Sequence, residues 1–408
     1  MTAASLPDRV VELAVDLAGQ PSGQLLRHSV YEFRYASADP GQAAISMLMP
    51  PTRPTWQDGD LFPSLDQNLP EGDLFQRIRQ FFPKQALTPM HLLALIGRNG
   101  IGRVGCALPG VEIAAKAPLL ARDELLRRPY SPALFDELVR AYLSTGAGVA
   151  GLQPKILVPD RPTIPVPTLI VKAGSPAYPG LAANEFLCLS AARRAGIEVP
   201  GFELSDDGQL LVLDRFDITH DGERLGFEDV AALMGLRVRD VLSDRKYQGS
   251  YERVAELLRY LRLPQPSLAR FFEQLAFSVM VRNGDAHLKN FGVLYRQPGD
   301  AWLAPMFDVV TTSIYPYARY PGGPELEDRT LALKFFAGRH GSRAYPSTEE
   351  LLHFGKRLCG VTRPAEVLER IAQGLTETLQ AARGDARMPP GLLTQLQGAW
   401  EEGLGHAR

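Results

Sequence analysis

The chain has 408 residues, a net charge of −2, 45% hydrophobic and 22% charged residues. This composition predicts a globular protein of two or three domains, and the charge indicates no nucleic-acid or membrane surface along the whole chain. Three widely spaced cysteines, Cys106, Cys188 and Cys359, lack metal-ligand spacing and predict buried thiols in a reducing compartment. Because no long apolar segment or signal-peptide pattern is present, we expect a cytoplasmic protein without a membrane partner.

Residues 1–120 predict a small N-terminal α+β subdomain. A strand is expected over 10–17, a turn over 19–23 and a half-buried strand over 30–35. Helices are expected over 73–82 and 89–97, followed by a glycine-rich segment. No catalytic constellation appears in this region.

Residues 121–225 predict the nucleotide-binding part of a kinase core. A helix over 132–144 is followed by a glycine-rich loop at 146–155 that enters a strand. Next come a strand over 167–172 that ends at Lys172, a helix over 183–195 that carries Glu185, and a buried strand over 209–214.

The remaining residues, 226–408, predict a mainly helical C-terminal lobe. Glu228 and Asp229 are expected at a helix start, where acidic side chains are favourable, and Asp229 is interpreted as a cap. A buried helix is expected over 271–282 and a short strand over 291–295. Further helices are expected over 348–358, 364–384 and 389–401.

The most informative motif lies between the buried helix and Asp308. It consists of Asn-Gly-Asp-Ala-His-Leu-Lys-Asn at 283–290, an apolar strand, and Ala-Pro-Met-Phe-Asp at 304–308. Asp285 and Asn290 have the spacing of the catalytic Asp and the metal-binding Asn of protein kinases. At such a site the Asp285 carboxylate takes a hydroxyl proton, while the Asn290 carbonyl and the Asp308 carboxylate hold Mg²⁺ that is also bound by nucleotide phosphates. The motif therefore predicts a phosphoryl-transfer site.

Each of these residues also has an ordinary structural explanation. Asp285 and Asn290 are typical turn residues, and the glycine loop is compatible with a plain hairpin instead of a phosphate-binding nest. Lys172 could extend to solvent rather than bind phosphate. Glu185 could be a helix-surface carboxylate rather than the partner of Lys172.

Lys289 could neutralise charge on the transferred phosphoryl group.

Segments along nearly the whole chain resemble the HipA-type serine/threonine kinases, the toxins of HipBA-like toxin–antitoxin pairs. The matching segments occur in family order: 68–72, 149–155, 169–172, 184–185, 213–217, 227–229, 246–247, 283–290 and 303–308. The resemblance implies a two-lobed, protein-kinase-like α/β (α+β) fold with an N-terminal α+β subdomain and a mainly helical C-terminal lobe. It also implies Mg²⁺ and ATP as cofactor and co-substrate.

The resemblance also implies roles for individual residues. Asp285 would be the catalytic base, with Lys289 beside it, and Asn290 and Asp308 would be the metal ligands. The residues implied in ATP binding are Ala150, Gly151, Leu152, Gln153, Pro154, Lys155, Lys172, Asp214, Arg215, Phe216, His287, Leu288 and Phe307.

Two features of the family concern regulation and partners. The family often has an autophosphorylated serine just before the glycine loop, but this chain has Gly148 and Ala150 there. The resemblance implies a small helix-turn-helix, HipB-like antitoxin that contacts operator DNA, and an aminoacyl-tRNA synthetase as protein substrate. Two alternatives remain: a small-molecule phosphotransferase, and a catalytically silent corepressor that binds the antitoxin.

Overall fold

The structure is a computed structural model. It describes residues 6–37, 39, 41–83, 85–110, 121–145, 155–158, 160, 167–174, 178–297, 299–318, 323–338 and 341–407. The predicted glycine-rich loop at 146–155 lies outside the described residues except for Lys155, so the prediction of a phosphate-binding loop is untested. The described residues form a mixed α/β protein with three separate sheets of three or more strands.

The N-terminal subdomain is a five-stranded antiparallel sheet in the order β4-β3-β2-β1-β5, packed on helices. Its strands, numbered β1 to β5 in chain order, are Glu12–Leu17, Gln20–Arg27, Tyr31–Tyr35, Thr55–Asp58 and Val104–Ala107. Its helices, α1 to α3, are Pro63–Asp66, Gly72–Phe81 and Pro89–Ile96, followed by a 3₁₀ turn at Gly97–Asn99. Apolar side chains such as Leu13, Leu25 and Phe33 are fully buried between sheet and helices.

One predicted turn in this subdomain is wrong. Of the segment predicted as a turn at 19–23, residues 20–23 belong to strand β2, and the turn is confined to Ala18 and Gly19, both with positive φ. β2 pairs with β1 on one side and with β3 on the other, so its ladder hydrogen bonds outweigh the local preferences of Pro21 and Gly23. A bulge between Val15 and Asp16 in β1 accommodates the irregular register there.

Residues 121–225 contain a second antiparallel sheet, in the order β6-β7-β9-β8. Strands β6 to β9 are Lys155–Val158, Leu169–Ala173, Phe202–Leu204 and Leu210–Asp214, and helices α4 to α6 are Arg122–Arg127, Pro132–Thr145 and Leu181–Arg194. The predicted strand at 167–172 and the predicted helix at 183–195 are confirmed to within two residues at each end. β7 and β9 are central strands, buried on both faces, which explains their continuous apolar runs.

The C-terminal lobe is mainly helical, as predicted. Helices α7 to α12 are Val230–Leu233, Tyr251–Tyr260, Gln265–Met280, Thr348–His353, Pro364–Ala381 and Leu392–Leu404. Strands β10 to β14 are Gly226–Asp229, Gly292–Gln297, Asp300–Leu303, Tyr317–Ala318 and Glu325–Leu326. Short turns of 3₁₀ helix lie at Asp240–Tyr247, Leu288–Asn290 and Gly405–Ala407, and a π-helical turn at Phe354–Leu358 follows α10.

Residues at the helix starts explain several boundaries in this lobe. Asp229 caps α7 by accepting a hydrogen bond from the amide of Ala232, as predicted, whereas Glu228 lies in strand β10 and not in the helix. Ser250 caps α8, and Ser347 with Glu350 forms a capping box on α10.

Helix α9 is the central element of the lobe and brings the motif into position. Its side chains between Phe271 and Met280 are almost entirely buried, and the helix packs against α8, α11 and α12. The three cysteines are buried and unbridged, as expected. Within the part of the chain that the structure describes, no helix has the length and apolar character needed to cross a bilayer.

Candidate active site

Lys172 is held between two carboxylates from different elements. Its Nζ lies 2.5 Å from Glu185 Oε1 on α6 and 2.5 Å from Asp308 Oδ1 in the loop after β12. Lys172 on β7 is 4% exposed and Glu185 is completely buried. Of the alternatives left open by the sequence, the structure therefore rejects a lysine extended to solvent and a surface glutamate.

The charge on Lys172 is maintained by these partners. Burial alone would lower the pKa of the ammonium, but Asp308 and Glu185 outweigh it and raise the pKa above the usual value. A buried cation fixed by a helix glutamate beside a loop aspartate is the arrangement that positions phosphates in kinases. The contact with Asp308 also joins the sheet that contains β7 to the C-terminal lobe.

The predicted catalytic loop begins at the end of α9. Arg282 has a φ of +58° and turns the chain away from the helix axis, and Asn283 is buried just after it. The hydroxyl of Tyr247 donates a hydrogen bond of 2.7 Å to Asp285 Oδ1. Burial and the Asp285 carboxylate raise the pKa of Tyr247, so the phenol stays protonated and orients the carboxylate.

Asn290 and Asp308 are close together, as the sequence predicts. Asn290 accepts a hydrogen bond of 3.0 Å from the amide of His287 and directs its Nδ2 toward the backbone oxygen of Asp308, 3.5 Å away. The Asp308 carboxylate contacts Lys172, whereas the side-chain oxygen of Asn290 is engaged by the His287 amide. An amide oxygen and a carboxylate would give a sparse donor set for Mg²⁺, which phosphates and waters would have to complete. Among the described residues, no cluster of three His, Cys, Asp or Glu side chains could bind a metal without such help.

His287 is a buried, neutral histidine in the same loop. Burial lowers its pKa well below the usual value, and the nearby ammonium of Lys246 lowers it further. Its ring packs edge-on against Tyr247, with the centroids 5.3 Å apart. Leu288 is fully buried and anchors the loop in the core of the lobe.

Lys289 contacts the N-terminal subdomain, which the sequence gave no reason to expect. Its Nζ lies 2.5 Å from Glu71 Oε1 and 3.3 Å from the backbone oxygen of Gln67. Burial opposes the charge, but Glu71 and Asp229 outweigh it and raise the pKa of Lys289. The side chains of Lys289 and Glu71 are 10% and 4% exposed, so this ion pair is well shielded from solvent.

Asp214 and Arg215, both implied in ATP binding by the resemblance, lie at the end of β9, but their side chains differ in position. Asp214 borders the cleft and pairs with Arg122. The guanidinium of Arg215 points into the protein, where it pairs with Asp217 and donates to the backbone oxygen of Gly100. The side chain of Arg215 is therefore directed away from the cleft, and its backbone amide donates to the backbone oxygen of Thr168.

A cleft of about 980 Å³ joins these groups. Phe216, Phe227 and Phe307 pack together on one side of it, with the rings of Phe216 and Phe307 5.2 Å apart. Lys172, Asp285, His287, Lys289 and Asp308 all border it, and an apolar wall facing a charged end is suitable for a nucleotide. Lys155 begins β6 opposite Lys172, but its side chain and residues 150–154 lie outside the described part.

Comparison with known families agrees with this arrangement. The family model for the HipA-like C-terminal domain matches residues 147–382, and the model for the HipA N-terminal domain matches residues 13–107. The chain belongs to the HipA-like family. The resemblance found in the sequence is thus confirmed.

Individual relatives of the HipA-like family are more distant. Two curated proteins of Sinorhizobium fredii are named "Putative kinase Y4dM" and "Putative kinase Y4mE". The first is 33% identical over 46% of this chain and 45% of its own length; the second is 29% identical over 57% and 51%. The chain thus spans about half the length of these relatives.

A solved structure from the same family shows the fold. It is described as the Shewanella oneidensis MR-1 toxin–antitoxin system complex of HipA, HipB and its operator DNA. The match has a TM-score of 0.67 at 18% identity and covers 97% of this chain and 96% of that one. The predicted two-lobed, kinase-like α/β fold is confirmed.

Proposed function

We propose that this protein is a Mg²⁺- and ATP-dependent serine/threonine protein kinase. The observation that carries the proposal is the buried Lys172, held by Glu185 and Asp308 at the end of a nucleotide-sized cleft. A lysine so placed is fixed in position to contact phosphate oxygens, and Asp285 lies in the same cleft as a base. The kinase names of the curated relatives agree with this assignment.

The reaction is an in-line transfer of the γ-phosphoryl group. The acceptor hydroxyl oxygen bonds to the γ-phosphorus while the bond from that phosphorus to the β,γ-bridging oxygen breaks. The acceptor proton passes to the Asp285 carboxylate, which Tyr247 orients, and ADP leaves. Mg²⁺ held by Asn290 and Asp308 would neutralise charge on the phosphates.

Transfer of labelled γ-phosphate from ATP into a bacterial lysate tests the proposal. The wild type should label a protein band, and Asp285→Ala should reduce labelling by roughly 10²–10⁴-fold, the usual effect of removing a positioned base. Asp308→Asn should abolish the band because a metal ligand is lost. Asp300→Asn alters an exposed carboxylate eight residues earlier and should leave labelling unchanged.

The outcome also separates the alternatives. If no protein is labelled but a low-molecular-weight alcohol or amine is, the protein is a small-molecule phosphotransferase. If neither is labelled although ATP binds, a silent corepressor becomes the better assignment. Full labelling by Asp285→Ala would contradict the assignment of the base.

We also propose that the protein is the toxin of a HipBA-like pair with an aminoacyl-tRNA synthetase as target. Support comes from family membership and from the Shewanella oneidensis complex, which contains HipB and operator DNA. Growth arrest on expression, relieved by a HipB-like helix-turn-helix protein that co-purifies with the chain, tests this. Growth arrest that persists in Asp285→Ala would contradict a catalytic toxin.

A further inference from the structure

Three lysines border the cleft within the described residues, and they differ in their partners. Lys172 contacts Glu185 and Asp308, and Lys289 contacts Glu71, each at 2.5 Å. Lys246 also borders the cleft and is only 3% exposed. Among the residues that the structure describes, no carboxylate lies within 4 Å of its ammonium.

The nearest defined contact of Lys246 is an aromatic ring. Its Nζ lies 5.3 Å from the centroid of the neighbouring Tyr247, a distance at which the ring face stabilises a cation modestly. The same tyrosine donates its hydroxyl to Asp285 and packs against His287. Lys246 thus borders the same cleft as Asp285 and contacts the tyrosine that orients this carboxylate.

A buried ammonium is costly unless a negative group compensates for its lost hydration. The ammonium of Lys246 retains access to the cleft, and its aromatic contact is worth only about 0.5–2 kcal/mol. Lys172 and Lys289 meet this requirement with carboxylates of the protein itself. Lys246, in contrast, lacks such a partner and faces the space in which a phosphoryl group would pass to the acceptor.

We propose that Lys246 binds the phosphoryl group during its transfer, the charge-neutralising role that the sequence pattern suggests for Lys289. This inference rests on the proposed kinase function and assigns a further catalytic residue to the same site. The transfer loosens the phosphoryl group from ADP and spreads negative charge over its three equatorial oxygens. An ammonium beside Asp285 stabilises that charge more than it stabilises bound ATP.

Lys289 takes a different part in this arrangement. Its charge is already neutralised by Glu71, and its side chain joins the catalytic loop to the N-terminal subdomain. Lys289 is thus a positioning residue for the loop. Lys246, on the 3₁₀ turn Asp240–Tyr247, contrasts with the other two lysines, because among the described lysines of the cleft it alone contacts no carboxylate.

Aluminium fluoride with Mg²⁺ and ADP, a mimic of the transferred phosphoryl group, provides the test. Calorimetry should find that aluminium fluoride tightens binding of ADP to the wild type by roughly 10²-fold or more, as expected for a transition-state analogue. Lys246→Met should lose most of this gain while binding ADP alone within about threefold of wild type. Lys246→Arg should recover part of it, because a guanidinium also binds phosphoryl oxygens.

Lys356→Met, which changes an exposed lysine, is the control and should retain the whole gain. Melting temperatures of all variants are measured alongside. The proposal is overturned if Lys246→Met keeps the aluminium fluoride effect. It is also overturned if Lys246→Met and Lys246→Arg lose ADP binding and thermal stability together, the pattern of a structural lysine.

Labelling of lysate protein distinguishes this inference from the proposed function. A wild type that labels protein, with Lys246→Met reduced by roughly 10²–10³-fold, supports both. If the wild type labels no protein, the protein-kinase assignment is contradicted. If Lys246→Met nevertheless loses the aluminium fluoride effect, the role of Lys246 is supported. Wild-type labelling that is undiminished in Lys246→Met overturns the role of Lys246 alone.

Discussion

At the scale of single residues, Asp308 combines an unusual backbone with a functional side chain. Its φ is +58°, in the left-handed region that costs a residue with a side chain about 1–2 kcal/mol. Its carboxylate meets Lys172, and its backbone oxygen faces the Asn290 amide. Backbone strain of this kind persists where surrounding contacts require it, and it is concentrated at functional sites.

We expect the two smallest substitutions of Asp308 to differ in stability but not in activity. Asp308→Ala and Asp308→Gly both remove the carboxylate, so phosphoryl transfer should be lost in both. The free energy of unfolding of Asp308→Gly should exceed that of Asp308→Ala by about 1 kcal/mol, because glycine adopts positive φ without strain. Asp308→Gly should therefore unfold at a higher urea concentration. Equal midpoints for the two variants would contradict the assignment of strain to this backbone.

At the scale of elements, the start of α7 connects a helix cap with the charged end of the cleft. Asp229 caps the helix, and burial raises its pKa to about 6, with the charges of Glu71 and Asp66 adding to the effect and Lys289 opposing it. The folded protein thus favours the protonated form more than the unfolded chain, whose pKa is close to 3.8. The stability contributed by this group is present below pH 3.8 and is lost as the pH rises through 6.

The variant Asp229→Asn tests this pH dependence. Asparagine keeps an oxygen for the cap but does not titrate. The free energy of unfolding of the variant, relative to that of the wild type, should therefore increase between pH 4 and pH 7. A shift of two pKa units corresponds to about 3 kcal/mol. Urea unfolding at several pH values measures the difference, and Asp300→Asn should track the wild type throughout. A stability difference that is constant across this range would show that Asp229 does not titrate there.

The sequence predicts elements well where local pattern and tertiary environment agree. The apolar runs of β7 and β9 and the periodicity of α6 gave their positions to within a few residues. β2 was missed because its Pro21 and Gly23 suggest a turn, and only pairing with β1 and β3 makes it a strand. Local residue preference cannot indicate such pairing.

The part of the site that could be predicted is the part in which a few residues lie at a fixed spacing within one short loop. Asp285 and Asn290 stand five residues apart, and their loop carries most of the signal. The contacts of Tyr247 with Asp285 and of Glu71 with Lys289 join residues 38 and 218 positions apart in the chain. A single sequence has no pattern that pairs residues at those separations, so these contacts required the three-dimensional structure.

At the scale of the whole molecule, the N-terminal subdomain is attached to the kinase core by buried polar contacts near the site. Arg239 pairs with Asp60 and Asp66, and Glu228 accepts hydrogen bonds of 2.7 Å from the hydroxyl of Ser46 and 2.6 Å from the amide of Met47. Such contacts are directional, so they fix the orientation of the subdomain more strictly than apolar packing alone. The ion pair of Glu71 with Lys289 extends this interface into the catalytic loop.

A double-mutant cycle of Glu71→Gln and Lys289→Met measures how strongly the subdomain supports the loop. Each single change leaves a buried group without its partner and should lower the free energy of unfolding by about 3–5 kcal/mol. The double variant should be much less destabilised than the sum, with a coupling of about 1–3 kcal/mol. The exposed pair of Arg253 and Glu256, treated in the same way, should give about 0.5 kcal/mol or less.

The same variants, assayed for their rate of phosphoryl transfer, link the interface to function. Glu71→Gln leaves the loop residues unchanged in sequence but removes the group that holds Lys289, so the labelling rate should fall by roughly tenfold while binding of ADP changes little. Because Lys289 acts through position, Lys289→Met should match Glu71→Gln in rate, and the double variant should be no slower than either single one. Rates that multiply in the double variant would mean that Glu71 and Lys289 act independently, and that the N-terminal subdomain does not position the catalytic loop through this contact.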